Sequence, residues 1–246
     1  MTDAPACARL PVWCGPWHTI CECEFAFTNT ESDTVSQGAR PALQSRSRAT
    51  RDKLLKALEA LLRARPFAEI TVADIAREAG LAVGTVYRRF ENKDALIPVL
   101  FEIYKQRLDG FTGPSGGIAV DPQSGLKGVL RQLATQSWEF LTQERAIARE
   151  AHLYARLRPD LVGAEWDALL AASQASFGAL IDAFPGEVRR PRDEVTEMLA
   201  YHFNTALTER ALYPDDGVGS QMTVSELDFV RAIADFAYGY LVTEAD

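Results

Sequence analysis

The chain has 246 residues, 47% of them hydrophobic and 24% charged, enough for one large or two small domains. No apolar run approaches the roughly 18 residues that span a bilayer, and no signal-peptide pattern is visible, so a soluble cytoplasmic protein is expected. The net charge of −8 is unevenly spread: residues 46–111 hold 13 Lys and Arg against 9 Asp and Glu, whereas residues 1–45 carry net −3 and residues 112–246 net −9. A basic middle stretch attracts phosphate in a salt-dependent way, while the acidic remainder limits indiscriminate sticking.

Residues 1–45 lack helical or strand periodicity and are rich in Pro, Thr, Ser and Gly, which predicts an extended or disordered extension. All four cysteines lie there (Cys7, Cys14, Cys21 and Cys23), with His18 nearby. Their spacing does not follow the usual Cys-x₂₋₄-Cys knuckle. Trp13-Cys14-Gly15-Pro16-Trp17 resembles a thioredoxin active site but has Trp17 where the second cysteine must stand. Unstructured cysteines are expected, with metal binding or redox sensing as the competing reading. No metal site and no cofactor is predicted.

A first helix is predicted over about 47–64, its inner face formed by Leu54, Leu55, Leu58, Leu61 and Leu62, and Pro66 closes it. Arg46, Arg48, Arg51, Lys53 and Lys56 crowd its leading edge. Next, Val72, Ile75, Ala76 and Ala79 recur at i, i+3, i+4, i+7, with Thr71 placed as N-cap and Gly80 as the stop. A turn of about three residues leads into Val83–Phe90, the connection of a helix-turn-helix. There Val86 and Phe90 share a face and should pack inward with Leu81. Val83, Gly84, Thr85, Tyr87, Arg88 and Arg89 then point elsewhere. Gly84 costs about 1 kcal/mol of helix propensity relative to alanine, which suggests a close backbone approach by something else. Asn92 is placed to cap a third helix beginning at Lys93 and running through Phe101 and Tyr104 to about Phe111. Pro98, inside it, is expected to cause a kink.

Residues 71–96 resemble the DNA-binding domain of the TetR family of bacterial transcriptional repressors, matching nearly throughout: Thr71, Ile75-Ala76, Ala79-Gly80, Gly84-Thr85, Tyr87, Phe90, Lys93 and Leu96 stand at the family's spacing. The resemblance implies a major-groove recognition helix at 83–90, a C-terminal helical ligand domain and a homodimer on a palindromic operator. Carried over residue by residue, it implies that Thr71, Thr85, Tyr87 and Lys93 position phosphates and that Val83, Gly84 and Arg89 lie near base edges. Arg48, Arg51 and Arg88 complete the expected double-stranded DNA contacts. Ala82 departs from the family's usual capping serine, and Val83 from the polar or basic residue common there; valine can meet a thymine methyl but cannot hydrogen-bond.

The expected organisation is an extension (1–45), a helix-turn-helix domain (46–111), a junction loop (112–125) broken by Gly113-Pro114 and Asp121-Pro122, and a ligand-binding and dimerisation domain (126–246). In that last part the helical period continues: a stripe from Leu126 to Leu141, a short helix over about 144–157, a long one closed by Pro185-Gly186, and two final helices near 192–213 and 224–243. No alternating strand pattern occurs, so the fold class is all-α.

The resemblance implies that the last two helices dimerise as a four-helix bundle, through Val195, Met198, Leu199, His202 and Ala206 on one and Val230, Ile233, Ala234, Ala237, Tyr238 and Leu241 on the other, with the protomer's own core as the competing reading of these faces. Bulky aromatics beside small residues can leave a cavity or fill a solid core. The resemblance implies a ligand pocket, with Phe101, Tyr104, Trp138, His152 and Phe177 as its expected lining, suited to a small apolar or aromatic effector with a polar handle. The three histidines stand in no catalytic motif. The expected function is therefore an effector-released DNA-binding repressor and not an enzyme. A ligand-independent DNA-binding dimer and a helical small-molecule enzyme are the alternatives. The third helix is the expected lever, with Pro98 as pivot.

Overall fold

The computed structural model describes residues 40–112, 120–216 and 221–244, with side chains from residue 47 onward. Most of the expected extension, cysteines included, lies outside the described residues. Among those residues every regular element is helical and there is no strand: α1 (Arg40–Ala64), α2 (Val72–Glu78), α3 (Val83–Tyr87), α4 (Ile97–Thr112), α5 (Gly125–Gln143), α6 (Arg145–Leu157), α7 (Pro159–Asp182), α8 (Arg192–Leu212) and α9 (Glu226–Val242). The all-α expectation holds. Helix α1 begins at Arg40, before the expected start near 47, so residues 40–45 are helical and not part of an extension.

Contacts divide the described chain into two compact units. One gathers the chain up to Lys105 together with Ala146–Gly163; the other gathers Gln106–Arg145 and the chain from Ala164 onward. Helix α6 from Ala146 thus belongs with the head, whereas the expected division assigned it to the C-terminal domain. A helix's periodicity states which of its faces is apolar; it does not name the partner that covers that face.

The head's core is Leu54, Leu58, Leu62, Phe67, Ile70, Ile75, Ala76, Val86, Leu96, Ile97 and Leu100, each at most 2% exposed. Helix α2 opens on a capping box: the Asp74 amide donates to Thr71 Oγ1 at 3.1 Å, while the Thr71 amide and hydroxyl donate to Asp74 Oδ2 at 3.0 and 2.7 Å. It closes on Gly80 at φ 64°, where the Leu81 amide reaches Ala76 O at 2.8 Å and the Gly80 amide reaches Arg77 O at 3.1 Å. That is the paired bonding of a Schellman end, and it sets the turn into α3.

Pro98 does not kink a helix. The Asn92 side-chain Oδ1 accepts the Ala95 amide at 3.0 Å, a 3-10 turn covers Asp94–Leu96, and α4 starts only at Ile97. Pro98 therefore sits in the first turn of α4, where its missing N–H removes no helical bond, so the pivot expectation fails.

In the second unit α5 packs against α8 and α9, and α8 against α9. Of the residues expected at a dimer face, Val195, Leu199, Val230, Ile233, Ala234, Ala237 and Leu241 are buried within the protomer. His202, Ala206 and Tyr238 are half-buried, and Met198 is exposed. The strongest apolar periodicity on α8 and α9 marks their own core. The apolar side chains left exposed there are Met198, Tyr201, Leu227 and Phe236.

Removing the α2 cap has a defined cost. Thr71→Ala is expected to lower the unfolding free energy by about 1 kcal/mol in denaturant titrations, and Ala82→Ser to raise it by a similar amount by capping α3.

Candidate nucleic-acid interface

Helix α3 has five residues, and its hydrogen bonding runs on for one further turn: the Arg88 amide donates to Gly84 O at 3.2 Å and the Phe90 amide to Val86 O at 2.9 Å. Val86 is fully buried, anchoring the inner face. Opposite it, Gly84 and Arg88 are exposed, and on the flank Val83 is 41% and Tyr87 53% exposed. A Cβ built on Gly84 would meet nothing within 4 Å. The protein itself therefore makes no demand for glycine at this position, and any close approach comes from outside.

The cations expected to touch phosphate divide into two groups. Arg88 remains on the outer face, a guanidinium nitrogen donating to Thr85 Oγ1 at 3.2 Å. Arg48 is exposed on α1. The others are tied down. Arg89 donates to Ser47 Oγ at 3.2 Å and Ser47 O at 3.4 Å, bracing α3 against α1. Arg51 pairs with Glu102 of α4 at 2.5 Å. Lys93 Nζ donates to Ala68 O at 2.7 Å and lies 4.9 Å from the Phe67 ring centroid, and burial pulls its pKa below the usual lysine value. The Thr71 hydroxyl has given its one proton to Asp74, so only its acceptor capacity remains for a ligand. Hydrogen bonds from the Thr71 side chain and backbone, joined by Arg77 and Arg65, hold the Asp74 carboxyl well below the usual carboxylate range.

Sequence reasoning missed the groups that hold this arrangement. Glu150, only 6% exposed, accepts the Phe67 amide at 3.1 Å through Oε2. Burial pushes its pKa up, against the opposing pull of that hydrogen bond and of Arg149 and Lys93. Arg158 pairs with Asp94 and with Asp160. The available signal was a carboxylate one turn beyond Ile147 on the apolar face of α6, where a charge needs a buried partner.

The head matches the family model described as bacterial regulatory proteins, tetR family, over residues 54–99. The chain carries a TetR-family head. It is 31% identical over 101 residues to the HTH-type transcriptional regulator EthR of Mycolicibacterium smegmatis, a stretch covering 41% of this chain and 45% of that relative. The chain thus spans less than half the length of this relative. A TetR-family transcriptional regulator structure from Vibrio parahaemolyticus superposes with a TM-score of 0.51 at 20% identity, covering 79% of this chain and 100% of that one. At that identity the TetR likeness concerns the fold beyond the head, not any ligand.

The five residues expected to line an effector cavity are not gathered into one place within either unit. Phe101, Tyr104 and His152 belong to the head's unit, where the Tyr104 and His152 rings meet edge-on at 5.7 Å and Phe101 lies 6.0 Å from Tyr104. Tyr104 Oη stands 3.3 Å from His152 Nε2; with the histidine neutral and protonated on Nδ1, the hydroxyl donates. Trp138 and Phe177 belong to the other unit, paired there with Phe229 at 5.9 Å and Phe203 at 5.3 Å. No group of three or more metal-ligating side chains occurs among the described residues.

Burial, with Arg156 adding to it, lowers the His152 pKa to about 4. The unfolded chain then binds the extra proton more readily than the folded one between pH 6.5 and 4. The contribution is complete above pH 6.5 and is lost as pH falls through the folded value. Unfolding free energies should drop over that interval by about 3 kcal/mol, and His152→Gln should remove this component of the pH dependence.

Proposed function

We propose that this protein is a DNA-binding transcriptional regulator, acting as a homodimer in the cytoplasm and released from its operator by a small effector. One observation carries the DNA reading. On a head of TetR type, the short α3 buries Val86 and turns Val83, Gly84, Tyr87 and Arg88 outward, with nothing beyond its chain neighbours and its own helix backbone within 4 Å of a Gly84 Cβ. A five-residue helix edged by arginine and backed by a packed core fits the major groove, with glycine admitting phosphate or base edges closely. Valine at 83 favours a thymine methyl. Among the expected contacts, Tyr87 and Arg88 with Arg48 take phosphate, and Arg89 acts by bracing α3.

A dimer follows from the same chemistry, since two reading helices about 34–36 Å apart match successive turns of a palindromic site. The exposed Met198 and Tyr201 on α8 and Leu227 and Phe236 on α9 are the apolar surface available to a second copy, in place of the buried residues the sequence pointed to. The effector reading rests on the family resemblance, with buried Tyr104 and half-buried His152 as a polar handle in aromatic surroundings. Repression is the sense the family resemblance favours.

Two experiments test this reading. A duplex selected from a randomised pool by the full chain should bind with a steep salt dependence. Arg88→Ala should reduce the slope of log K against log salt by about 1, and Val83→Ala should change base preference with the slope intact. Failure to enrich any sequence would refute the regulator. Separately, Phe236→Glu should shift the molar mass in light scattering from dimer to monomer and weaken binding to a two-half-site duplex more than tenfold; a dimer that persists would place the interface elsewhere.

A further inference from the structure

Glu150, Tyr154 and Arg158 stand at i, i+4 and i+8, so they share one face of α6 and its continuation, the Arg158 amide donating to Tyr154 O at 2.9 Å. Each meets the head at a joint. Phe67 opens the 3-10 turn between α1 and α2: its amide donates to Glu150 Oε2 at 3.1 Å, and its ring takes Tyr154 edge-on at 5.1 Å and 83°. Asp94 opens the 3-10 turn between α3 and α4, and Arg158 pairs with it while gripping Asp160 through Nε at 3.0 Å and a terminal nitrogen at 2.8 Å. Lys93 Nζ closes the bracket by donating to Ala68 O at 2.7 Å, joining the two turns. Helices α2 and α3, of seven and five residues, lie between these joints. Neither is long enough to persist alone, so their orientation is set by what holds their ends.

We propose that the Glu150–Tyr154–Arg158 face of α6 is a positioning element for the reading helix, setting DNA affinity through the Phe67 and Asp94 turns without touching DNA. This rests on the DNA-binding function proposed above. Glu150 is the central member, because without it the Phe67 amide is a buried donor with no acceptor. The groups facing that carboxylate are the Phe67 amide, Lys93, Arg149 and Tyr154. Arg158 adds the second point of attachment, which a single hydrogen bond cannot supply, since one contact leaves rotation about itself free.

The test uses the full chain and the duplex selected from a randomised pool, with affinity followed by fluorescence anisotropy across a salt series. Glu150→Gln, which keeps an acceptor for the Phe67 amide, should bind within twofold of the parent. Glu150→Leu, which removes it, should bind at least fivefold more weakly with the salt slope unchanged, because no phosphate contact is lost. Arg158→Gln and Asp94→Asn should each weaken binding, and the double variant should be no weaker than the worse single one. Folded Glu150→Leu binding like the parent, additive losses in the double variant, or a slope reduced by about 1 in Arg158→Gln would each overturn the proposal. Where Glu150→Leu does not fold, as read by thermal melting, the Arg158 and Asp94 variants decide. If the parent chain binds no duplex, the regulator reading fails; amide exchange at Phe67 then decides the attachment itself, faster in Glu150→Leu but not in Glu150→Gln supporting it, and unchanged in both refuting it.

Discussion

The proposed reading surface depends on the burial of Val86. A five-residue helix has almost no stability of its own, since nucleation consumes most of the hydrogen bonds it can form. What orients α3 is one fully buried side chain on its inner face, with the Schellman turn at Gly80 fixing the angle of entry. Once Val86 is inside, helical geometry at about 100° per residue puts Gly84 and Arg88 on the opposite side and leaves Val83 and Tyr87 on one flank. Core packing thus turns this face outward, and the attachments at the ends of α3, among them Arg89 on Ser47, hold it there.

The head uses most of its charged side chains structurally. Arg51, Arg65, Arg77, Arg89 and Lys93 are engaged by Glu102, Asp74, Ser47 or the Ala68 carbonyl, while Arg48 and Arg88 of the set expected to meet phosphate stand exposed. Exposed ion pairs of this kind contribute little each to stability. Their value here is geometric: Arg51 ties α1 to α4, Arg65 ties the end of α1 to α2, and Arg89 ties the end of α3 to α1, which limits how far the head can deform. The buried groups are fewer and matter more. Glu150 accepts the Phe67 amide in the core, and buried Tyr104 pairs with half-buried His152 beside Phe101.

Much of the head was legible in sequence because its signals are local. The Thr71 cap, the Gly80 stop, the Val72–Ile75–Ala76 stripe and the inward Val86 each depend on residues within one or two turns, and each appears as read. The helical period likewise located α5 through α9 to within a few residues. Pro98 shows where local reading fails: its effect depends on whether the helix has already started, and a 3-10 turn delayed that start to Ile97.

Sequence by itself therefore determined the all-helical class, the helix-turn-helix and the outward residues of α3, since propensity, capping and periodicity act over a handful of neighbours. Tertiary structure alone decided which partner covers each apolar face. It placed α6 from Ala146 with the head, turned Val195, Leu199 and the α9 stripe into the protomer's own core, and engaged Arg89, Lys93 and Thr71 inside the protein. The hydrophobic effect is non-directional: it demands that a stripe be buried and is indifferent to which surface buries it, so that choice is made only when distant segments meet.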